Sequence, residues 1–175
     1  MVFREFCFIV GRGKRAIEDH FNTDLNFVRY LLSKERGEYA EELDNFYRKI
    51  NDSMIIFLNQ PEPKGFGDAI YRVKGFVSGE PFLVHAGDDI ILSENNSHLK
   101  RLFKVFERMN ADATFLVERV PNPQKYGVVT GRKVQPLVYR VTDVIEKPRT
   151  PPSELAIVAI YIFNEKIFKA IEQTE

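Results

Sequence analysis

Six short apolar runs rich in β-branched and aromatic residues recur along the chain, and the segments between them repeat apolar residues at helical spacing. This alternation limits the fold more than any other feature. The runs are Phe6 to Val10, Met54 to Leu58, Phe82 to Ala86, Ala113 to Val117, Tyr126 to Thr130 and Leu155 to Phe163. None approaches the roughly 18 to 20 apolar residues of a membrane span. None alternates strictly with polar residues either, so they read as strands covered on both faces, the habit of an α/β sheet with helices on either side.

The intervening segments supply the helices. Asn22, Thr23 and Asp24 are N-cap types, and Leu25, Val28, Leu31 and Leu32 follow at helix spacing; Leu43, Phe46, Tyr47 and Ile50 repeat the pattern. Ser97 is expected to cap a helix carrying Leu99, Leu102, Phe103, Phe106 and Met109, and a last helix carries Ile167, Phe168 and Ile171. From Tyr126 onward the pattern becomes a hairpin, with its turn expected at Gly131-Arg132 and a return strand over Val134 to Glu146 (VQPLVYRVTDVIE). Arg149 to Glu154 reads as a loop between strands.

Composition excludes several classes. Lys+Arg and Asp+Glu both number 25, for a formal net charge of +0, so nothing marks a polyanion partner such as nucleic acid, although a pocket for one phosphate would not register in that total. The single cysteine, Cys7, allows no intrachain disulfide and no cysteine-based zinc site. With neither a span nor a signal-peptide pattern, the expectation is a soluble, cytoplasmic protein with no membrane partner.

Four segments hold residues suited to chemistry. Gly11 to Arg15 (GRGKR) lies between a strand and a helix: it is either a tight turn with solvated basic residues or a phosphate loop, and it lacks the spacing of a dinucleotide fingerprint or a P-loop. Gln60 to Ala69 (QPEPKGFGDA) follows a strand and opens a helix, at the carboxyl end where open α/β sheets bind ligands; Gln60 can donate and accept on one edge, as a base such as uracil requires, and a purely structural loop is the alternative. In Val84 to Ile90 (VHAGDDI), Asp88 and Asp89 follow a buried strand, and such a pair either serves a divalent cation or starts a loop; His85 is expected to be a core or edge histidine. Glu146 and Lys147 precede Pro148. They would face opposite ways in a regular strand, so both reach one ligand only if the chain leaves strand geometry there, and a solvated ion pair is the alternative.

In order, IVGRGKRAIEDHFNTD, QPEPKGFGDAI, EPFLVHAGDDII, KYGVV, VIEKP and PSELAIVAIYIF resemble the UTP:glucose-1-phosphate uridylyltransferases, sugar-nucleotide pyrophosphorylases with the nucleoside-diphosphate-sugar transferase fold. The run IEDHF with a following two-helix insertion favours uridylyl over thymidylyl transfer. The resemblance implies a Rossmann-like mixed α/β sheet, with residues 1–119 forming a nucleotide half and 120–175 a sugar-phosphate half of one partial domain. It also implies roles. Gln60 reads the uracil edge and Gly65 lets backbone lie against the base; Asp88 holds Mg2+, with Asp89 behind it; Gly127 and Glu146 bind the sugar, and Lys147 holds the phosphate of glucose 1-phosphate. The reaction would be in-line attack of the sugar phosphate on the α-phosphorus of UTP, expelling pyrophosphate.

The chain also departs from the pattern. The family's opening strand and its Gly-x-Gly-Thr-Arg loop with a downstream Pro-Lys are absent, and the sequence stops at IEQTE, before the GEIQLTD-like region and a second metal-binding Asp. Asp68 stands where a His is usual after KGFG. These departures lead us to expect a domain truncated at both ends, impaired in isolation or acting as a non-catalytic binding or assembly subunit. The absent strand lies between the counterparts of FCFIV and FLVHA, so open strand edges, and a homo-oligomer or a complementing chain, are expected.

Overall fold

The computed structural model describes residues 3–174. The chain divides into two compact units between Phe76 and Val77.

The first unit holds a two-stranded parallel sheet of β1 (Glu5–Val10) and β2 (Met54–Asn59), joined by the helical crossover α1 (Arg15–His20), α2 (Leu25–Ser33) and α3 (Gly37–Asn51). Of the three cap-type residues before α2, Asp24 takes the role: its carboxylate accepts from the N–H groups of Asn26 and Phe27, both at 3.0 Å. One sheet face is aromatic. Phe8 and Phe57, neighbours in register, stack at 5.4 Å, Phe21 lies 4.5 Å from Phe8, and Phe46 from α3 completes the cluster at 6.0 Å from Phe21. In-register parallel pairing ends both strands at the same level, Val10 opposite Asn59, so the loops after them start side by side. The second loop feeds α4 (Phe66–Arg72), followed by α5 (Lys74–Val77). Among the described residues β1 pairs only with β2, leaving its other edge open.

The second unit is an antiparallel sheet built around β7 (Leu155–Phe163), the longest of the apolar runs. β4 (Ala113–Arg119) pairs along one edge of β7; on the other edge β3 (Phe82–His85) takes residues 160–163, and β5 (Gly127–Gln135) meets it at Ala156. β6 (Val138–Glu146) pairs with β5. Ile160 and Ile162, 1% and 0% exposed, project with Leu102 into a core covered by α6 (Ser97–Met109). On the alternate face Phe163 lies 6.1 Å from Phe82, which stacks at 5.5 Å on Phe168 of α7 (Lys166–Glu172). Cover on both faces is why β7 has no polar alternation.

All six apolar runs are strands, and the mixed α/β character is as expected, divided here between one parallel and one antiparallel sheet. Two local expectations are corrected. The hairpin turns at Pro136-Leu137, not at Gly131-Arg132, and Leu137 adopts a left-handed φ of 61°. Gly131 lies mid-strand at a register shift, where a Cβ would come within 2.5 Å of the Arg140 carbonyl oxygen; it serves close backbone approach. Ser97 is the first residue of α6 rather than its cap. Asn95 and Asn96 enter the helix through left-handed backbone, and Ser93 Oγ reaches the His98 N–H instead.

Candidate functional site

In the first unit, residues at the carboxyl ends of β1 and β2 form one end of the sheet. GRGKR is a tight turn there, closed by the Lys14 N–H on the Gly11 carbonyl at 3.2 Å, with Gly13 at φ 81°. The Gln60 N–H continues the ladder to the Val10 carbonyl at 2.7 Å, which fixes where its side chain starts. That side chain is fully committed on its donor side: Nε2 donates to Asp68 Oδ2 at 2.6 Å and to the Gly65 carbonyl at 3.3 Å. Asp68 is in turn held by Arg72, one helical turn on, whose Nε and guanidinium N–H donate to its two oxygens at 3.0 and 3.2 Å. The hydrogen bonds from Gln60 and Arg72 hold the Asp68 carboxyl below its usual range, so it is ionised and can only accept. The amide of Gln60 therefore turns its nitrogen to Asp68 and presents Oε1, an acceptor with no partner among the described residues. Gly65, at φ 109° and ψ 179°, has open space where a Cβ would stand.

The second unit holds the other predicted residues. After β3 the chain folds back on β7: the Ala86 N–H donates to the Ala159 carbonyl at 2.9 Å, and Asp89 Oδ2 accepts the Ala159 N–H at 2.9 Å. His85, exposed rather than buried, donates Nε2–H to the Asp89 carbonyl at 2.7 Å. Asp89 thus ties the loop down. Asp88 is exposed, with no hydrogen-bond or ion-pair partner among the described residues. Its free carboxylate suits a hard cation that takes one protein oxygen and completes its shell with phosphate and water; the described residues contain no cluster of three or more metal-ligating side chains.

Gly127 opens β5 opposite Glu146, the last residue of β6. A Cβ on Gly127 would meet Glu146 Oε2 at 3.1 Å and Ile157 Cδ1 at 3.2 Å. The chain leaves strand geometry at the next residue, Lys147, at φ 43°, and the Lys147 N–H bonds the Tyr126 carbonyl at 3.0 Å. That break brings Lys147 Nζ to 3.2 Å from Glu146 Oε1, both side chains being largely exposed. Burial, then the charges of Asp89 and Glu146, push the Tyr161 phenol on β7 above the usual value. Sequence reasoning missed the locking role of Asp68; the signal was an Asp and an Arg four residues apart on α4.

A parallel pair whose second strand ends in a Gly-rich polar loop opening a helix is the arrangement by which α/β proteins of the nucleotide-handling class bind their ligands; the second unit presents, by itself, a free carboxylate and a Glu-Lys corner. More particularly, the chain belongs to the nucleotidyl transferase family, whose model matches residues 16–175. It is 34% identical to the UTP–glucose-1-phosphate uridylyltransferase of Pseudomonas aeruginosa, over 98% of this chain and 62% of that protein. Among solved structures it is similar to an apo UDP-glucose pyrophosphorylase (TM-score 0.86, 27% identity, 97% of this chain and 63% of that one). A UDP-glucose pyrophosphorylase complexed with UDP-glucose aligns with a TM-score of 0.81 and 28% identity, over 97% of this chain and 62% of that one. The chain thus spans about three fifths of the length of these relatives.

Proposed function

We propose that this chain carries the base-reading and sugar-phosphate subsites of a uridylyltransferase that forms UDP-glucose and pyrophosphate from UTP and glucose 1-phosphate with Mg2+. The observation that carries this reading is similarity over 98% of the chain to a protein of that name. In it, Gln60 Oε1 accepts the N3–H of uracil, an edge that thymine shares, and Gly65 leaves room for the ring. Asp88 holds Mg2+ on the phosphates, Lys147 binds the phosphate of glucose 1-phosphate, and Glu146 and Gly127 meet the sugar hydroxyls. Residues 1–119 then serve the nucleotide and 120–175 the sugar phosphate.

The chemistry needs alignment and charge neutralisation more than a general base. The sugar-phosphate oxygen forms a bond to the α-phosphorus of UTP as the bond to the β-phosphate oxygen breaks, and pyrophosphate leaves with that electron pair. The cytoplasm is the proposed site of action, in keeping with the lone Cys7, and no helix among the described residues is long and apolar enough to cross a membrane. The open outer edge of β1 supports a second copy or a complementing chain that adds a strand to it. Calorimetry with UTP and with UDP-glucose tests the subsites. Binding weakened by Gln60→Ala and by Lys147→Ala is expected, and absence of binding by either nucleotide would sink the reading.

A further inference from the structure

A groove of about 240 Å3 in the second unit lies between α6 and the tip of the β5-β6 hairpin. Arg101, Lys104 and Arg108, spaced three and four apart and so stacked on one face of α6, form one wall; the turn residues up to Val138 form the other. No acidic residue lines it. These three cations have no carboxylate partner among the described residues.

The hairpin adds to the imbalance. Side chains two apart on a strand share a face, so Arg140 stands on the side of β6 that turns Val138 to the groove. Arg140 pairs in register with Arg132, and neither has an acidic partner among the described residues. Like charges directly opposed on neighbouring strands destabilise a sheet. The groove thus has three cations on its helical wall, with Arg140 and Arg132 further along the hairpin and outside its lining, in a chain whose charges sum to zero. Two of the three lining cations are arginines, whose planar forks match phosphate oxygens two at a time. Its volume is below the usual range for drug-sized ligands and suits a compact anion rather than an extended chain.

We propose that this groove is a binding site for a small, multiply charged phosphate-type anion, separate from the residues assigned above to uridylyl transfer. Isothermal titration of inorganic pyrophosphate into the full chain tests it, at low ionic strength and in EDTA so that no divalent cation recruits the anion to Asp88. The proposal predicts binding that falls at least about tenfold in Arg101→Ala/Arg108→Ala, falls less in Arg101→Lys/Arg108→Lys, and is unchanged in Lys147→Ala. Circular dichroism confirms the fold of each variant. Absence of binding, binding indifferent to the arginine pair, or binding lost only in Lys147→Ala would each overturn the proposal. So would binding of an oligoglutamate peptide in place of pyrophosphate, which would make the groove a protein-docking surface.

Discussion

Replacing Asp68 by Asn perturbs the amide of Gln60 without changing shape. In the native arrangement the carboxylate accepts at 2.6 Å from Gln60 and at 3.0 and 3.2 Å from Arg72, and these contacts leave Gln60 Oε1 facing outward. Arg72 has only donors, so an Asn at position 68 turns its oxygen to Arg72 and its NH2 to Gln60. Gln60 then rotates Oε1 inward, resisted only by its long 3.3 Å bond to the Gly65 carbonyl, and offers N–H to the ligand. With the native orientation, the bare N3 of cytosine meets Oε1 acceptor to acceptor. Leaving that edge unsatisfied costs about 1 to 3 kcal/mol, roughly 5- to 150-fold in affinity. Titration calorimetry with UDP and CDP in Mg2+ should show a uridine preference in that range for the native chain. In Asp68→Asn the preference should shrink at least about fivefold, with UDP binding weakened and CDP binding unchanged or improved. An undiminished UDP:CDP ratio in a folded Asp68→Asn protein would refute the orientation argument.

Four further outcomes follow from the geometry. Gly131→Ala drives a Cβ to within 2.5 Å of a backbone oxygen, and the overlap should cost about 1 to 3 kcal/mol, read as a lower urea midpoint. Gly127→Ala meets a flexible Glu146 oxygen and the Ile157 side chain at 3.1 and 3.2 Å; it should weaken glucose 1-phosphate binding with a smaller change in that midpoint than Gly131→Ala produces. Ile162→Ala empties a fully buried position and should cost about 2 to 5 kcal/mol by the same denaturation measurement. Asp112, held below its ordinary 3.8 by hydrogen bonds from Lys166 and Asn164, stabilises the fold above that value and loses the contribution as pH falls through its depressed native value; the Tm gap between native chain and Asp112→Asn should hold at neutral pH and close in acid below about pH 3.8.

β7 was legible because burial on both faces leaves an unbroken apolar run, and it begins and ends where its run does; the run of β2 is a strand too, but Met54 and Ile56 leave one of its faces exposed, against the expectation of cover on both. The hairpin turn was not legible by the same logic. Glycine usually marks a turn, but Gly131 is there for a close interstrand approach; the turn itself falls at Pro136, whose turn signal was passed over, and Leu137, which adopts left-handed backbone without any such signal. Asp88 and Asp89 are chemically identical neighbours in sequence. Only the Ala159 N–H separates a carboxylate that holds the loop from one that is free. The exit from strand geometry at Lys147 was foreseeable as a condition, since Pro148 disfavours continuation, but the meeting of Glu146 and Lys147 depends on a φ no sequence pattern states. The lock on Gln60 needed three residues brought together by where α4 starts.

The central claim is that Asp88 holds the metal on which uridylyl transfer depends. Pyrophosphate release from UTP and glucose 1-phosphate with Mg2+, compared between the native chain and Asp88→Ala, measures it most directly. The account predicts UDP-glucose-forming turnover that is low in this chain, that EDTA stops, and that Asp88→Ala abolishes. Turnover that persists undiminished in Asp88→Ala would contradict it.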